Sequence, residues 1–273
     1  MLSHGGVRPV TYLFIDAAHL QPNFVRATAA WCGASGELDI RKVSALFSAA
    51  KVFYYDCLDD SLHKDETPEQ QATRIEMQES AFRRINALQN THVRLGSVSG
   101  TGKRRRQKEV DILIAVEMMN HAVRQNMDRA VLITGDRDFT PLVETLVQFG
   151  LTVEVAGDLR STSDVLAAAA DYYRPLGLRL YHSWMADASQ RGCEALPQFE
   201  AGGIEARGLT AGAQGQLGEF RCELYPTDMA YALFVMTSKN GSIHVRVPRN
   251  NLQRLKLFLE LEHGDASWIP DAV

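Results

Sequence analysis

The sequence predicts an α/β fold: a doubly wound parallel sheet followed by a small α+β module. Three observations carry that expectation. Over the first 180 residues, short apolar runs alternate with amphipathic segments, as strands linked by covering helices do. The run AVLIT at residues 130–134 is wholly apolar, which a strand covered on both faces requires. Beyond about residue 180 the texture changes to a glycine-rich stretch and short strand-like runs.

Taken in order, residues 10–15 (VTYLFI) read as a buried strand ending at Asp16. Residues 38–50 carry helix-spaced apolar positions, and residues 51–55 (KVFYY) are strand-like. Thr67 and Pro68 open a helix, with Thr67 at the N-cap and Gln70 at the spacing of a capping box. A strand over residues 92–98, a basic loop over 100–108 and a helix over 110–123 follow. Next come a strand at 130–134, a helix at 141–149, a strand at 151–155 and a helix at 163–170. Five βα units in series give a parallel sheet with right-handed crossovers, whose ligands bind at the carboxyl ends of the strands. In the C-terminal part, residues 202–218 read as a linker or long loop. Residues 219–225 and 231–236 read as strands, Asn240-Gly241 as a hairpin turn, and the segment from Asn250 or Asn251 to about Glu262 as a helix. The expected division is a domain over 1–180 and a module over 181–273, so a chain truncated after Leu180 should stay folded.

Composition narrows the class. With 45% hydrophobic and 23% charged residues, the 273-residue chain has a core to bury and is not disordered. A net charge of -4 leaves any phosphate contact to a local patch. No apolar run approaches the roughly 20 residues of a spanning helix, and the first residues lack the features of a signal peptide. Cys32, Cys57, Cys193 and Cys222 form no CxxC pair, which fits reduced thiols and a cytoplasmic protein.

Four carboxylates stand where chemistry would sit. Asp16 ends the first strand, Asp136 and Asp138 follow the fourth in TGDRDF, and Asp111 begins the helix after the basic loop. In a doubly wound sheet the first and fourth strands are neighbours at the switch point, so Asp16 meets Asp136 and Asp138. Crowded carboxylates repel and raise one another's pKa, and a divalent cation relieves that. Oxygen-only ligands select a hard ion, Mg²⁺ or Mn²⁺, which activates water and neutralises a phosphodiester under attack. Helix N-capping is the competing explanation for Asp111 and Asp138. Asp16 has no obvious capping role.

The segments IDAAHL, KEVDILIAVE, VLITGDRDFTPLVETLVQFGLTVEV and LAAAADYYRPL, in that order over residues 10–178, resemble the NYN family, the bacterial LabA-like branch of PIN-like nucleases. The resemblance implies the same sheet and metal-dependent RNA hydrolysis yielding 5′-phosphate and 3′-hydroxyl ends. It assigns metal binding and catalysis to Asp16, Asp111, Asp136 and Asp138, and matches Lys108 to the family's motif lysine. Three positions depart from the pattern. His19 stands where asparagine is usual, Thr134 replaces serine but keeps its hydroxyl, and Glu117 stands in place of a second helix aspartate. Glu117 lies about 240° round the helix from Asp111, so it ranks below the four aspartates.

Five of the six residues 103–108 are cationic, and Arg104, Arg105, Arg106 and Lys108 are expected to steer phosphate, with Arg137, His19 and Thr134 as further substrate contacts. Glu117 and His121 have metal-like i,i+4 spacing but no third ligand. The leading expectation is an endoribonuclease. The alternatives are a non-catalytic RNA- or protein-binding adaptor that kept a PIN-like fold, and a DNA-directed nuclease. Partners are then RNA or DNA and no membrane, with the C-terminal module open to self-association or a protein partner.

Overall fold

A computed structural model describes residues 9–96, 103–201, 210–227 and 231–270, with the backbone alone for 103–108. Six strands form one parallel sheet in the order β3-β2-β1-β4-β5-β6. They are β1 (Thr11–Asp16), β2 (Lys51–Asp56), β3 (Thr91–Leu95), β4 (Arg129–Ile133), β5 (Thr152–Asp158) and β6 (Tyr172–Leu176). The chain moves outward from β1 to β3, then crosses back to β4. β1 pairs β2 on one side and β4 on the other, with Ile15 opposite Ile133, so their carboxyl ends flank the switch point as the sequence predicts. Every residue of β1 is buried, which explains its continuous apolar reading.

The linking helices are α1 (Ala17–Cys32), α2 (Ile40–Phe47), α3 (Pro68–Asn86), α4 (Lys103–Val123), α5 (Thr140–Gln148) and α6 (Asp164–Ala169). The Thr67 capping box forms as expected: the Thr67 hydroxyl accepts from Gln70 N, and Gln70 Oε1 accepts from Thr67 N at 2.9 Å. Val110, Ile114 and Met118 of α4 join Phe14, Phe53, Leu132 and Val143 in the core on one face of the sheet.

Three expectations in this part are corrected. α1 goes unread in the sequence because Pro22 interrupts it, though Leu20, Phe24, Ala27 and Trp31 recur at helical spacing and are buried. Residues 103–108 are the first turns of α4, not a loop, since lysine and arginine are good helix formers whatever their charge. Asp111 therefore sits well inside the helix. The last strand, β6, is a sixth that the five-unit reading stops short of.

The remaining elements are α7 (Leu178–Trp184), α8 (Asp187–Gln190), β7 (Glu200–Ala201), β8 (Ala213–Leu217), β9 (Phe220–Pro226), β10 (Tyr231–Ser238), β11 (Gly241–Pro248) and α9 (Leu252–His263). The strands form a separate antiparallel sheet, β7-β11-β10-β9-β8, with the Asn240-Gly241 hairpin where the sequence places it. The glycine-rich stretch is no plain linker: β8 lies within it, and the Trp268 indole fills the space that a Cβ on Gly215 would need. Residues 202–209 lie outside the described ones.

The chain divides into two compact units that do not follow its order. One holds the residues up to Phe24 with Leu38–Pro175; the other holds Val25–Glu37 with Leu176 onward. The segment 25–37 belongs to the second unit because of Trp31. Its ring is 2% exposed and lies 3.9 Å from the Arg254 guanidinium, and its Nε1 donates to Glu194 O at 2.9 Å. Cys32 is joined to Cys193 in the same unit by a disulfide with Cα atoms 4.7 Å apart, while Cys57 and Cys222 form no disulfide. That corrects the expectation of four reduced thiols, which the separation of 161 residues conceals. Cys193→Ser is expected to lower the stability of this unit by about 2–4 kcal/mol. Urea midpoints test it: reductant should shift the wild type and leave the variant unmoved. Among the described residues no helix is long and apolar enough to cross a membrane.

Candidate active site

Asp16 closes β1 and is 5% exposed. Its Oδ2 accepts from Thr134 Oγ1 at 2.8 Å, and its Oδ1 accepts from Ala18 N at 3.1 Å. The second bond gives Asp16 the capping role the sequence hides, because the helix it caps is the unread α1. Thr134 is itself fully buried, and its hydroxyl also accepts from Asp136 N at 3.3 Å. One hydroxyl thus ties the end of β1 to the turn after β4. Burial raises the Asp16 carboxyl above its usual range, and the Asp136 charge adds to this, against the donors that hold the ionised form.

Asp136 is exposed and caps the short turn Arg137–Phe139, with Oδ1 accepting from Asp138 N at 2.9 Å. Asp136 therefore takes the capping role weighed for Asp138, whose own side chain is exposed beside it. Asp111 is half-buried on α4. Among the described residues no three carboxylate, histidine or cysteine side chains converge as a ready cage for an ion. The structure brings Asp16 and Asp136 together, sets Asp138 next to them in the chain, and does not complete a cage with Asp111. Two repelling carboxylates, one of them buried, nevertheless fit Mg²⁺ or Mn²⁺. Mg²⁺ in particular is commonly held by one or two carboxylates, with water and substrate phosphate completing its shell.

Glu117 belongs to a different set of contacts. Tyr55 Oη donates to its Oε2 at 2.6 Å and Arg94 Nε to its Oε1 at 2.7 Å, so it anchors α4 to β2 and β3. His121 packs against the rings of Tyr12 and Phe53, and burial lowers its pKa. Their i,i+4 spacing therefore reflects packing. The side chains of Arg104, Arg105, Arg106 and Lys108 lie outside the described residues.

His19 lies against the turn after β4. Its Nε2 accepts from Asp158 N at 3.2 Å, which leaves the proton of the neutral ring on Nδ1. Burial lowers its pKa, so the ring stays neutral near pH 7 despite nearby Asp158 and Asp136. With Nε2 occupied and Nδ1 protonated, His19 is a hydrogen-bond donor and not a metal ligand. Gly135 is needed here: a Cβ would come within 2.6 Å of Ser161 O and 2.8 Å of His19 Nδ1. A groove of about 560 Å³ opens at this end of the sheet, lined by Asp16, His19, Gly135, Asp136, Arg137, Arg160 and residues 161–163.

Sequence reasoning missed Asp56, Asp158 and Arg160. Asp56 ends β2 beside β1, and its Oδ1 accepts from Cys57 N at 2.7 Å. Burial pushes its carboxyl up to about 6, with the Asp16 charge adding. The strand-end position that singles out Asp16 also marks Asp56 in KVFYYD. A raised folded-state pKa means the native state holds the extra proton between the ordinary value of 3.8 and about 6. Metal-free stability should therefore fall as pH rises through that window and level off above it, by roughly 2–3 kcal/mol from Asp56. Asp56→Asn should remove that share, measured as urea midpoints in chelator on either side of the window. A variant whose pH dependence matches wild type would sink the assignment.

Fold and site define a parallel α/β protein of the PIN-like type, with a crevice at its switch point that holds Asp16 and Asp136. Residues 11–177 match the NYN domain, and the chain belongs to that family, within the PIN-like nuclease superfamily. Among solved structures it is similar to VPA0982, a protein of unknown function from Vibrio parahaemolyticus. The identity is 18% and the TM-score 0.40, with 64% of this chain and 96% of that one covered. No curated protein matches the chain.

Proposed function

We propose that this protein is a metal-dependent endoribonuclease acting at the Asp16–Asp136 pair. The observation that carries the reading is the buried Asp16 carboxylate, fixed by Thr134 at 2.8 Å and raised in pKa beside Asp136. Burial disfavours the ionised form of such a group, and a bound cation would offset that. Asp16 and Asp136 would hold Mg²⁺ or Mn²⁺, with Asp138 and Asp111 as further oxygen donors on the rim. When bound, the ion would polarise the phosphodiester and activate water.

The chain's own residues supply the rest. Thr134 and Ala18 N keep the Asp16 oxygens oriented without rearrangement during the reaction. His19, neutral and aimed by Asp158, offers an Nδ1–H to a phosphate or ribose oxygen. Arg137, exposed between the two aspartates, offers a guanidinium to the same strand. No side-chain nucleophile is needed, and the products are a 5′-phosphate and a 3′-hydroxyl. A cytoplasmic setting rests on the RNA substrate alone, because the Cys32–Cys193 disulfide withdraws the thiol argument for it.

Incubation of the purified chain with labelled single-stranded RNA and DNA, in Mn²⁺ and in chelator, tests the reading. Cleavage of RNA that chelator abolishes is the expected result. RNA left intact in Mn²⁺ would overturn it, and cleavage of DNA alone would replace the substrate.

A further inference from the structure

We propose that the wall of the groove built from the turn after β4 and the loop after β5 is a second phosphate seat. It would hold the phosphodiester adjacent to the one cleaved, with Arg137 and Arg160 as its cations. The proposal rests on the nuclease reading and assigns a role to a loop the sequence gives no reason to single out.

Four observations support it. First, β4 and β5 are paired, with Ile133 opposite Ala156, so the two loops leave the sheet side by side. Second, they are fastened to each other and to α1. Ser163 N donates to Gly135 O at 3.1 Å, Asp158 N to His19 Nε2 at 3.2 Å, and Asn23 Nδ2 to Ser161 Oγ at 3.1 Å. Thr162 Oγ1 donates to Asp158 O at 2.8 Å, and Gly157 has no room for a Cβ beside Thr134 O. The groove wall is therefore preorganised and does not have to be ordered by its ligand. Third, both arginines are exposed and line the same groove as Asp16 and Asp136. Fourth, the hydroxyl residues Ser161 and Ser163 line the same groove, the chemistry that accompanies arginine at phosphate and sugar contacts.

A nucleic acid placed with one phosphate at the acid pair must pass its next phosphate to one side or the other. On the β5 side it meets guanidinium groups at a wall that is already rigid. Arginine suits this duty better than lysine because its planar fork can engage two phosphate oxygens.

The test uses the full chain and a short fluorescein-labelled single-stranded RNA, with binding read by anisotropy in chelator across a salt series. The double variant Arg137→Gln/Arg160→Gln is compared with wild type and with Arg83→Gln/Arg124→Gln. The control makes the same charge change at exposed positions near the amino ends of the strands. The expected result is roughly tenfold weaker binding for the first pair, with the salt slope shallower by about 0.7, the single-strand increment for one phosphate. In Mn²⁺ its KM should rise by a similar factor with kcat nearly kept. Affinity and slope equal to the control, kcat lost at unchanged KM, or no RNA binding by wild type would each overturn the seat. A wild type that cleaves, beside a double variant that binds like the control, removes the seat and keeps the nuclease. A wild type that binds without cleaving, beside a double variant that binds weakly, does the reverse.

Discussion

Asp136→Asn should abolish metal-dependent RNA cleavage and leave the fold intact. Asp136 is exposed, so its replacement leaves no cavity. Its one structural duty is to accept from Asp138 N through Oδ1 at 2.9 Å, and asparagine keeps that oxygen. What is lost is the charge, which is what a cation needs from it. Groups that only orient a metal ligand cost roughly 10- to 100-fold when removed, so loss of the ligand charge should exceed about a hundredfold. A second readout separates charge from structure. Asp136 raises the Asp16 carboxyl through repulsion, so in the variant Asp16 should ionise more readily in the metal-free protein. Asp16 titrated by NMR in chelator should move downward. A folded variant that cleaves RNA at the wild-type rate would mean the acid pair is not the reaction centre.

The pairing of β1 with β4 and the meeting of Asp16 with the TGDRDF turn were legible because parallel strands buried on both faces leave unbroken apolar runs, and the switch point follows from topology. The Thr67 capping box was legible because both of its members lie in the sequence at fixed spacing. The misses have physical causes as well. Pro22 disguised α1, and with it the capping role of Asp16. The charge of residues 103–108 has the look of a solvated loop, but lysine and arginine are good helix formers and the segment opens α4. Gly215 read as flexibility, whereas the structure shows it making room for the Trp268 ring. Arg160 and Asp158 carry no local signature. Their place in the groove depends on the pairing of β4 with β5 and on one bond to His19, both set by tertiary structure.

A fragment ending at Leu180 is expected to be poorly folded or to aggregate, against the linear division that the change in sequence texture suggests. Residues 25–37 form a compact unit with the C-terminal part of the chain, so the cut removes their partners while keeping them. Trp31 would lose Arg254 above its ring, Phe258 at 6.1 Å and the Glu194 carbonyl that accepts from its Nε1. Exposing an indole of that kind costs roughly 4 kcal/mol, a large share of the 5–15 kcal/mol that typically separates folded from unfolded domains. Cys32 would also lose its disulfide partner, Cys193. Because α1 begins at the residue after Asp16, fraying at its far end would reach toward the site. Circular dichroism, sizing and thermal melting of the fragment, beside the same fragment carrying Trp31→Gln, would measure this. The substitution should improve solubility by removing the exposed indole. A soluble wild-type fragment that melts as cooperatively as the full chain would show that residues 25–37 fold without the C-terminal part, and the discontinuous unit would then have no energetic weight.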